Sequence, residues 1–485
     1  MEKTISRVTV ISNLMWKLME RFSAQGVQFF VQIFLARLLM PEDYGKIALI
    51  TIFITISNVF IQSGFNTALI QKKDADEIDF SSVFYLSIVI SVMLYIIIFF
   101  SAPFIAGYYG EPQLKQLLRV LALSLIFYAV TTVQNAFVSK SMQFKRFFFS
   151  SLGGIIISGT VGIFTAYLGW GAWALVCQHL TNTIVVTIVL WITVKWRPKL
   201  TFSFARIKRL FQFGYKLLFS SLIDTVYNNL YGLIIGKLFD SETLGYYNRG
   251  DSVPNLIVTN INGAISSVLF PALSDSQDDK NRLKSMMRRS IVTSSYLIFP
   301  MMAGIIACAE PIILVLLTDK WIDCVPFLQL LCIVYSLWPI HTANLQVINA
   351  LGRSDIYLKL EIIKKIIGIV FIIISVPYGV FGMVYFKIAS SVLSTIINSY
   401  PNKKLLNYSY KEQILDILPS LALSVVLGLM VYCIKYLGFS VLVTLAIQVI
   451  AGVVLYLGLS YMLKLECLFY LLDTAKSYIN MKIHD

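Results

Sequence analysis

The chain has 485 residues, of which 57% are hydrophobic and 14% charged, and its mean hydropathy is +0.75. This composition excludes an ordinary soluble domain, which needs far more polar surface, and the long apolar runs from end to end predict an all-α, polytopic membrane protein. The net charge of +14 raises nucleic acid as a partner, but the placement of the charges answers that question differently.

The first segment, MEKTISRVTVISNLMWKLMERFSAQG, has no short apolar core followed by a small-residue cleavage site, so it is expected to be retained. Apolar runs of about 20 residues predict fourteen spans near 11–39, 45–70, 82–104, 114–137, 147–168, 172–194, 211–236, 252–273, 290–317, 325–350, 360–377, 380–399, 416–436 and 439–463. With the N-terminus inside and charges near span ends assigned to the nearer side, 28 of the 40 Lys and Arg fall to the cytoplasmic side, seven to the other side and five deeper within spans. That bias predicts both termini in the cytoplasm. It explains the basic balance through membrane lipid, with no nucleic-acid partner.

Span 1 carries Lys17, Arg21, Gln25, Gln28 and Gln32, spaced to share one helical face. Helix rise puts Arg21 about 24 Å from Arg37 at the outer end. Such a stripe is costly in hydrocarbon unless it meets a wet cavity or a partner. Two readings stand: cavity-lining groups, or Lys17 and Arg21 snorkelling to the inner leaflet with Arg21 paired to Glu20. The loop DADEID (74–79) has carboxylates at a spacing known from metal-using glycosyltransferases, but without an accompanying domain it is expected to be a solvated loop. Arg119, near the outer end of span 4, reads as a snorkelling cation. The glycines of GGIIISGTVG (153–162) mark close helix packing, not phosphate binding.

His179 in span 6 reads as a proton switch or as an interhelical hydrogen bond. In the linker KWRPKLTFSFARIKRLF, residues 202–215 mix Phe202, Phe204, Leu210, Phe211 and Phe213 with Arg206, Lys208 and Arg209, as an amphipathic segment at the inner interface does. Span 7 carries Lys216, Ser220, Ser221, Asp224 and Asn228; Asp224 is an ion-coupling candidate or the static mate of Lys216. His341, beside Pro339 and Asn344, lines a cavity or sits at a kink. Lys387 lies within span 12. The six cysteines show no CxxC or zinc spacing, so they are expected to be packing residues, and no metal or cofactor is expected. No Walker loop is present, so no ATP hydrolysis is expected of this chain.

One motif is written twice. ARLLMPEDYG (36–45) is echoed by GKLFDSETLG (236–245), with Leu38, Glu42 and Gly45 matching Leu238, Glu242 and Gly245. Further echoes follow in order: Ala68-Leu69 and Ala272-Leu273, Pro103 and Pro311, Asn135-Ala136 and Asn349-Ala350, Gly171 and Gly379. At the same offsets Gln28 faces Asn228, and His179 faces Lys387. The chain therefore reads as two pseudo-symmetric six-helix bundles, 1–194 and 211–400, joined by a basic cytoplasmic linker, 195–210. Two additional spans and a short tail occupy 401–485. Duplicated bundles of this kind suit rocking-type alternating access around a site between the repeats.

The runs ARLLMPEDYGKIAL, SGFNTALIQKKD, APFIAGYYGEPQLKQLLRVLALS and VQNAFVSKSMQFKRF resemble the polysaccharide-repeat exporters of the multidrug/oligosaccharidyl-lipid/polysaccharide superfamily, of the colanic-acid and teichuronic-acid exporter type. The resemblance implies a flippase, not an enzyme. It would carry an undecaprenyl-diphosphate-linked oligosaccharide from the inner to the outer leaflet of the bacterial cytoplasmic membrane for surface polysaccharide assembly. On that reading Lys17, Arg21, Gln25, Gln28, Gln32, Lys216, Asn228 and Lys387 are substrate-binding candidates. Asp224 and His179 are candidates for proton or sodium coupling, and a polysaccharide polymerase is an expected contact. Two rivals remain at this point. A drug or metabolite antiporter of the same superfamily would favour a carboxylate-rich cavity, whereas span 1 sets Lys17 and Arg21 against Glu20. A membrane polymerase or ligase would need a large outer loop, and the outer loops here are short.

Overall fold

The computed structural model describes residues 7–62, 64–72 and 74–473, and every regular element among them is helical. In chain order these are α1 (Arg7–Leu38), α2 (Pro41–Gln62), α3 (Phe65–Gln71), α4 (Glu77–Tyr109), α5 (Gln113–Leu121), α6 (Ser124–Lys140), α7 (Lys145–Tyr167), α8 (Ala172–Thr193) and α9 (Phe204–Leu238). There follow α10 (Ser241–Ser274), α11 (Lys280–Ala307), α12 (Ala309–Leu316), α13 (Cys324–Ser336), α14 (Trp338–Ala350), α15 (Ser354–Ser375), α16 (Gly379–Leu406), α17 (Tyr410–Cys433) and α18 (Val441–Met462). Eleven stretches of the described residues are long and apolar enough to cross a membrane, and one of them, Ser354–Leu406, contains both α15 and α16. α1 and α9 have the length, at 32 and 35 residues, but charged and amide side chains dilute their hydropathy. Large apolar side chains such as Phe100, Phe104, Ile192, Ile373, Leu429 and Val454 are exposed. Lipid solvates such a surface and water does not.

The chain divides into two compact units, one ending at Gly245 and one beginning at Tyr246. The repeat assigns α9 to the second bundle, yet α9 packs on α2, α3 and α4 of the first unit. Its glycines explain this: Gly232 and Gly236 face Ile52 and Leu49 of α2, and Gly214 lies against Gly64. The packing boundary therefore falls later than the repeat boundary.

The duplicated motif now has a physical cause. Both copies start a helix with acid in the first turn, Glu42 and Asp43 in α2 and Glu242 in α10, where the helix dipole favours negative charge. A Cβ at Gly45 would run into the carbonyl of Ser241, and one at Gly245 into the carbonyl of Pro41. The starts of α2 and α10 thus cross backbone to backbone, each glycine against the other helix's first residue. Gly171 and Gly379, another echo, open α8 and α16 with φ of 53° and 76°, which L side chains rarely adopt. Spans 4 and 10 are each broken into two helices, α5–α6 and α13–α14.

The acidic loop is not simply solvated. Asp76 caps α4, accepting from the backbone N–H of Ile78 and Asp79 at 3.1 and 3.0 Å. Asp79 is fully buried against Lys72, and Lys199 and Arg206 of the linker pair with Glu77 and Asp76. The Arg206 guanidinium holds the Asp76 carboxyl at about 2, below the ordinary carboxylate range. The amphipathic segment is the start of α9, burying Ile207 and Leu210 with Phe65, Phe80 and Trp196. In the second unit α17 packs on α11, and a fully buried amide group (Asn344, Asn402 and Gln413) joins α14, α16 and α17. The glycines of α7 do serve packing: Gly154 and Gly162 meet α8, and Gly159 meets Val31. Of the cysteines, Cys308, Cys324, Cys332 and Cys467 are buried, Cys177 half-buried and Cys433 exposed.

Candidate functional site

The C-terminal half of α1 is fixed by packing: Val31, Leu35 and Leu39 interlock with Ala166 of α7 and Ala174 and Leu175 of α8. Nearer its N-terminus Trp16 packs on Phe148 and Phe149 of α7, while other side chains are exposed. Arg21 is exposed and makes no hydrogen bond or ion pair among the described residues. Glu20 instead accepts from the Ser151 hydroxyl at 3.0 Å. Lys17 lies 5.4 Å over the ring of Phe144, at the inner end of α7, as an interface-anchored cation does. Both basic residues are exposed, and they differ in that Lys17 lies over the Phe144 ring. Gln25, Gln28 and Gln32 are half-buried, and Gln32 accepts from the Tyr44 hydroxyl at 3.3 Å. The stripe is accessible at Arg21 and sealed by the time the helix reaches Leu35.

On α9, Lys216, Asp224 and Asn228 are all exposed. Lys216 and Asp224 stand eight residues apart, about 12 Å of helix rise, and Lys216 makes no ion pair among the described residues. The static Lys216–Asp224 pair is not formed. Arg119 donates to the carbonyl of Phe99 at 3.0 Å and lies 4.0 Å over that ring, which fits the snorkelling reading. His341 is bound by Asn398 and Thr395 at 3.2 and 3.3 Å.

The repeat-related pair behaves alike in one respect: each residue is tied to a tyrosine system. In the first unit His179 Nε2 and the Tyr128 hydroxyl are 3.0 Å apart. In the second, Lys387 donates to the Tyr247 hydroxyl at 2.8 Å and lies 3.5 Å from Asp251. The Tyr335 hydroxyl reaches both Asp251 carboxylate oxygens, at 3.0 and 3.1 Å. Sequence reading missed Asp251, because span 8 was expected to begin at 252. The signal existed: aligning α2 with α10 through the repeated motif starts α10 at Ser241 and puts Asp251 ten residues inside.

With this geometry in place, the comparisons fall into line. Residues 34–326, more than half of the chain, match the family described as polysaccharide biosynthesis protein. The chain is similar to the lipopolysaccharide biosynthesis protein WzxC of Escherichia coli (strain K12), 23% identical over 87% of this chain and 88% of that protein. It is also similar to the teichuronic acid biosynthesis protein TuaB of Bacillus subtilis (strain 168), 25% identical over 62% of each. Among solved structures, the lipid II flippase MurJ in an inward closed conformation matches with a TM-score of 0.73 and 17% identity, over 93% of this chain and 98% of that one. An inward-facing multidrug resistance transporter of the MATE family matches with a TM-score of 0.62 and 15% identity, over 81% of this chain and 99% of that one. These two likenesses show the shared fold.

Proposed function

Because the chain belongs to the polysaccharide biosynthesis protein family, we propose that it is a transporter that flips undecaprenyl-diphosphate-linked oligosaccharides from the inner to the outer leaflet by alternating access. It works in the bacterial cytoplasmic membrane, with fourteen spans and both termini inside, and performs no chemical step of its own. The observation that carries this reading is the stripe on α1, open at Arg21 near the cytoplasmic end and closed towards Leu35. A diphosphate cannot cross hydrocarbon bare, so a flippase must offer cations along a wet path. Arginine suits this, because its planar fork binds two phosphate oxygens and keeps its charge when partly desolvated. Gln25, Gln28 and Gln32 can bond sugar hydroxyls deeper in, with Asn228 and Lys216 offering the same chemistry on α9. An ion gradient supplies the driving force, and a polymerase on the outer side receives the product.

The test is reconstitution of the purified full chain into liposomes carrying a fluorescent undecaprenyl diphosphate-linked sugar. The reading expects protein-dependent movement of the probe between leaflets without ATP. Equal movement in protein-free and protein-containing liposomes, across several sugar heads, would refute it.

A further inference from the structure

The second unit holds a charged cluster that the first unit lacks. Asp251 lies ten residues into α10, Tyr335 eleven residues into α13 and Lys387 eight residues into α16, counted from helix ends on one side. At 1.5 Å per residue these positions lie about 15, 16 and 12 Å from their helix starts, so three helices bring the cluster together two to three turns in from one end. Asp251 and Lys387 are 21% and 22% exposed, and Tyr247 and Tyr335 are buried. The groups facing the carboxylate are the Tyr335 hydroxyl, the Lys387 ammonium and the Asn255 amide at 3.4 Å, with Tyr247 beyond the lysine.

The repeat supplies an internal control. Tyr128 and Tyr335 are 207 residues apart and His179 and Lys387 are 208 apart, so the two systems are equivalents. In the first unit the level is filled by a Tyr–His hydrogen bond. The α2 residues equivalent to Asp251, Ile47 to Thr51, include no carboxylate. The same packing is therefore built without a buried carboxylate–ammonium pair. Such pairs seldom add stability over uncharged replacements, and ionisable groups within spans are kept for function.

We propose that Asp251 is the proton-coupling group of the transport cycle, with Lys387 as its removable counter-charge and Tyr335 and Tyr247 as its hydrogen-bonding frame. This rests on the transport reading above. While the pair is closed, the ammonium compensates the carboxylate. When Lys387 leaves the carboxylate, the charge is left uncompensated beside buried tyrosines, and taking a proton from water to form the neutral acid removes that cost. Closing the pair returns the proton to water. The proton is the coupled ion on this proposal, and competition by sodium for the vacated carboxylate is the outcome that would overturn it. His179 and Asp224, the groups expected from sequence, are then not required for coupling.

The test begins without any substrate. The full chain in lipid is titrated while the infrared C=O stretch of protonated carboxyl groups is followed. A titrating band present in wild type and absent in Asp251→Asn is expected, unchanged when sodium replaces potassium; in Lys387→Gln it should appear at a pH where wild type lacks it. An identical titration in wild type and Asp251→Asn would overturn the proposal, and displacement of the band by sodium would do so equally. Because single variants leave a lone charge and can fail to fold, the neutral pair Asp251→Asn/Lys387→Gln is then assayed with the fluorescent undecaprenyl diphosphate-linked sugar. Any movement of the probe by it, at whatever rate, should show no response to an imposed pH gradient, where movement by wild type responds. Full gradient dependence in the double variant would make the pair a static one. Failure of wild type to move the probe would count against the transport reading, while the infrared result still decides the proton site.

Discussion

Replacing Gly45 by alanine tests whether the crossing of α2 and α10 is a working part of the molecule. An ideal Cβ at Gly45 would lie well inside contact with the Ser241 carbonyl oxygen, and only 2.5 Å from its carbon. Both obstacles are backbone, so no rotamer change relieves the overlap and the helices must part. Overpacking of this kind costs about 1–3 kcal/mol, which lowers the population of the closed crossing about 5- to 150-fold. Leu244 offers a reporter, being fully buried in the structure and in contact with Gly236. In a background lacking the six native cysteines, Leu244→Cys should react slowly with a membrane-impermeant maleimide added outside, and faster by that factor when Gly45→Ala is added. Gly245→Ala, which meets the Pro41 carbonyl, should do the same, and the two should add to less than their sum because they open one contact. Gly26→Ala is the control, since nothing lies within 4 Å of its Cβ position. If Gly45→Ala labelled at the Gly26→Ala rate, the close crossing would not be what buries Leu244.

Gln413 is fully buried, exchanging hydrogen bonds with Asn344 at 2.9 and 3.2 Å and accepting from Ser399 at 3.1 Å. Gln413→Leu should therefore cost about 1–3 kcal/mol by leaving those groups unpaired, read as a lower melting temperature in detergent, with partial recovery when Asn344 is also made apolar. Asp76→Ala should cost about 1 kcal/mol at neutral pH as a lost helix cap, its exposed pair with Arg206 adding little. Since the folded-state carboxyl lies at about 2 against an ordinary 3.8, its contribution is present above about 3.8 and disappears as pH falls towards 2. The gap between wild-type and variant melting should shrink over that window. For topology, single cysteines at Glu111, Lys320 and Tyr436 should label from outside and those at Lys284 and Lys403 only after permeabilisation; labelling of Glu111 only after permeabilisation would break the orientation.

The all-helical membrane fold was written in the sequence because lipid enforces a simple rule, that a crossing helix needs a long apolar run. The duplicated motif was also legible, and so was the His179–Lys387 equivalence, because backbone contacts and positive-φ turns tolerate only glycine and preserve the register of the repeat. What escaped was the inner end of polar segments. NRGDSVP (248–254) is polar and carries Gly and Pro, so the apolar run of span 8 begins only at 252, yet α10 runs through it, since a helix held at both ends by packing overrides local propensity. Asp251 was lost with it. The acidic loop misled for a related reason. Its charges look solvated in one dimension, and only the fold brings Lys199 and Arg206 of the linker, over a hundred residues away, against Glu77 and Asp76. For Arg21 the sequence supplied the position but left snorkelling and cavity roles open. The structure removes one version of the snorkelling reading, the pairing of Arg21 with Glu20, because Glu20 bonds to Ser151 instead; the choice between headgroup and cavity is left to the Arg21 variants.

The central claim, that an open arginine on α1 receives a diphosphate, is tested most directly by comparing Arg21→Ala and Arg21→Lys in reconstituted flipping of an undecaprenyl diphosphate-linked sugar at matched protein levels. Loss of charge-assisted hydrogen bonds worth about 1.5–3 kcal/mol should lower the initial rate of Arg21→Ala by roughly ten- to a hundredfold. Lysine, a point charge without the planar fork, should restore only part of it. A lysine variant as fast as wild type would mean that any long cation at the interface suffices. A fully active Arg21→Ala would contradict the account outright.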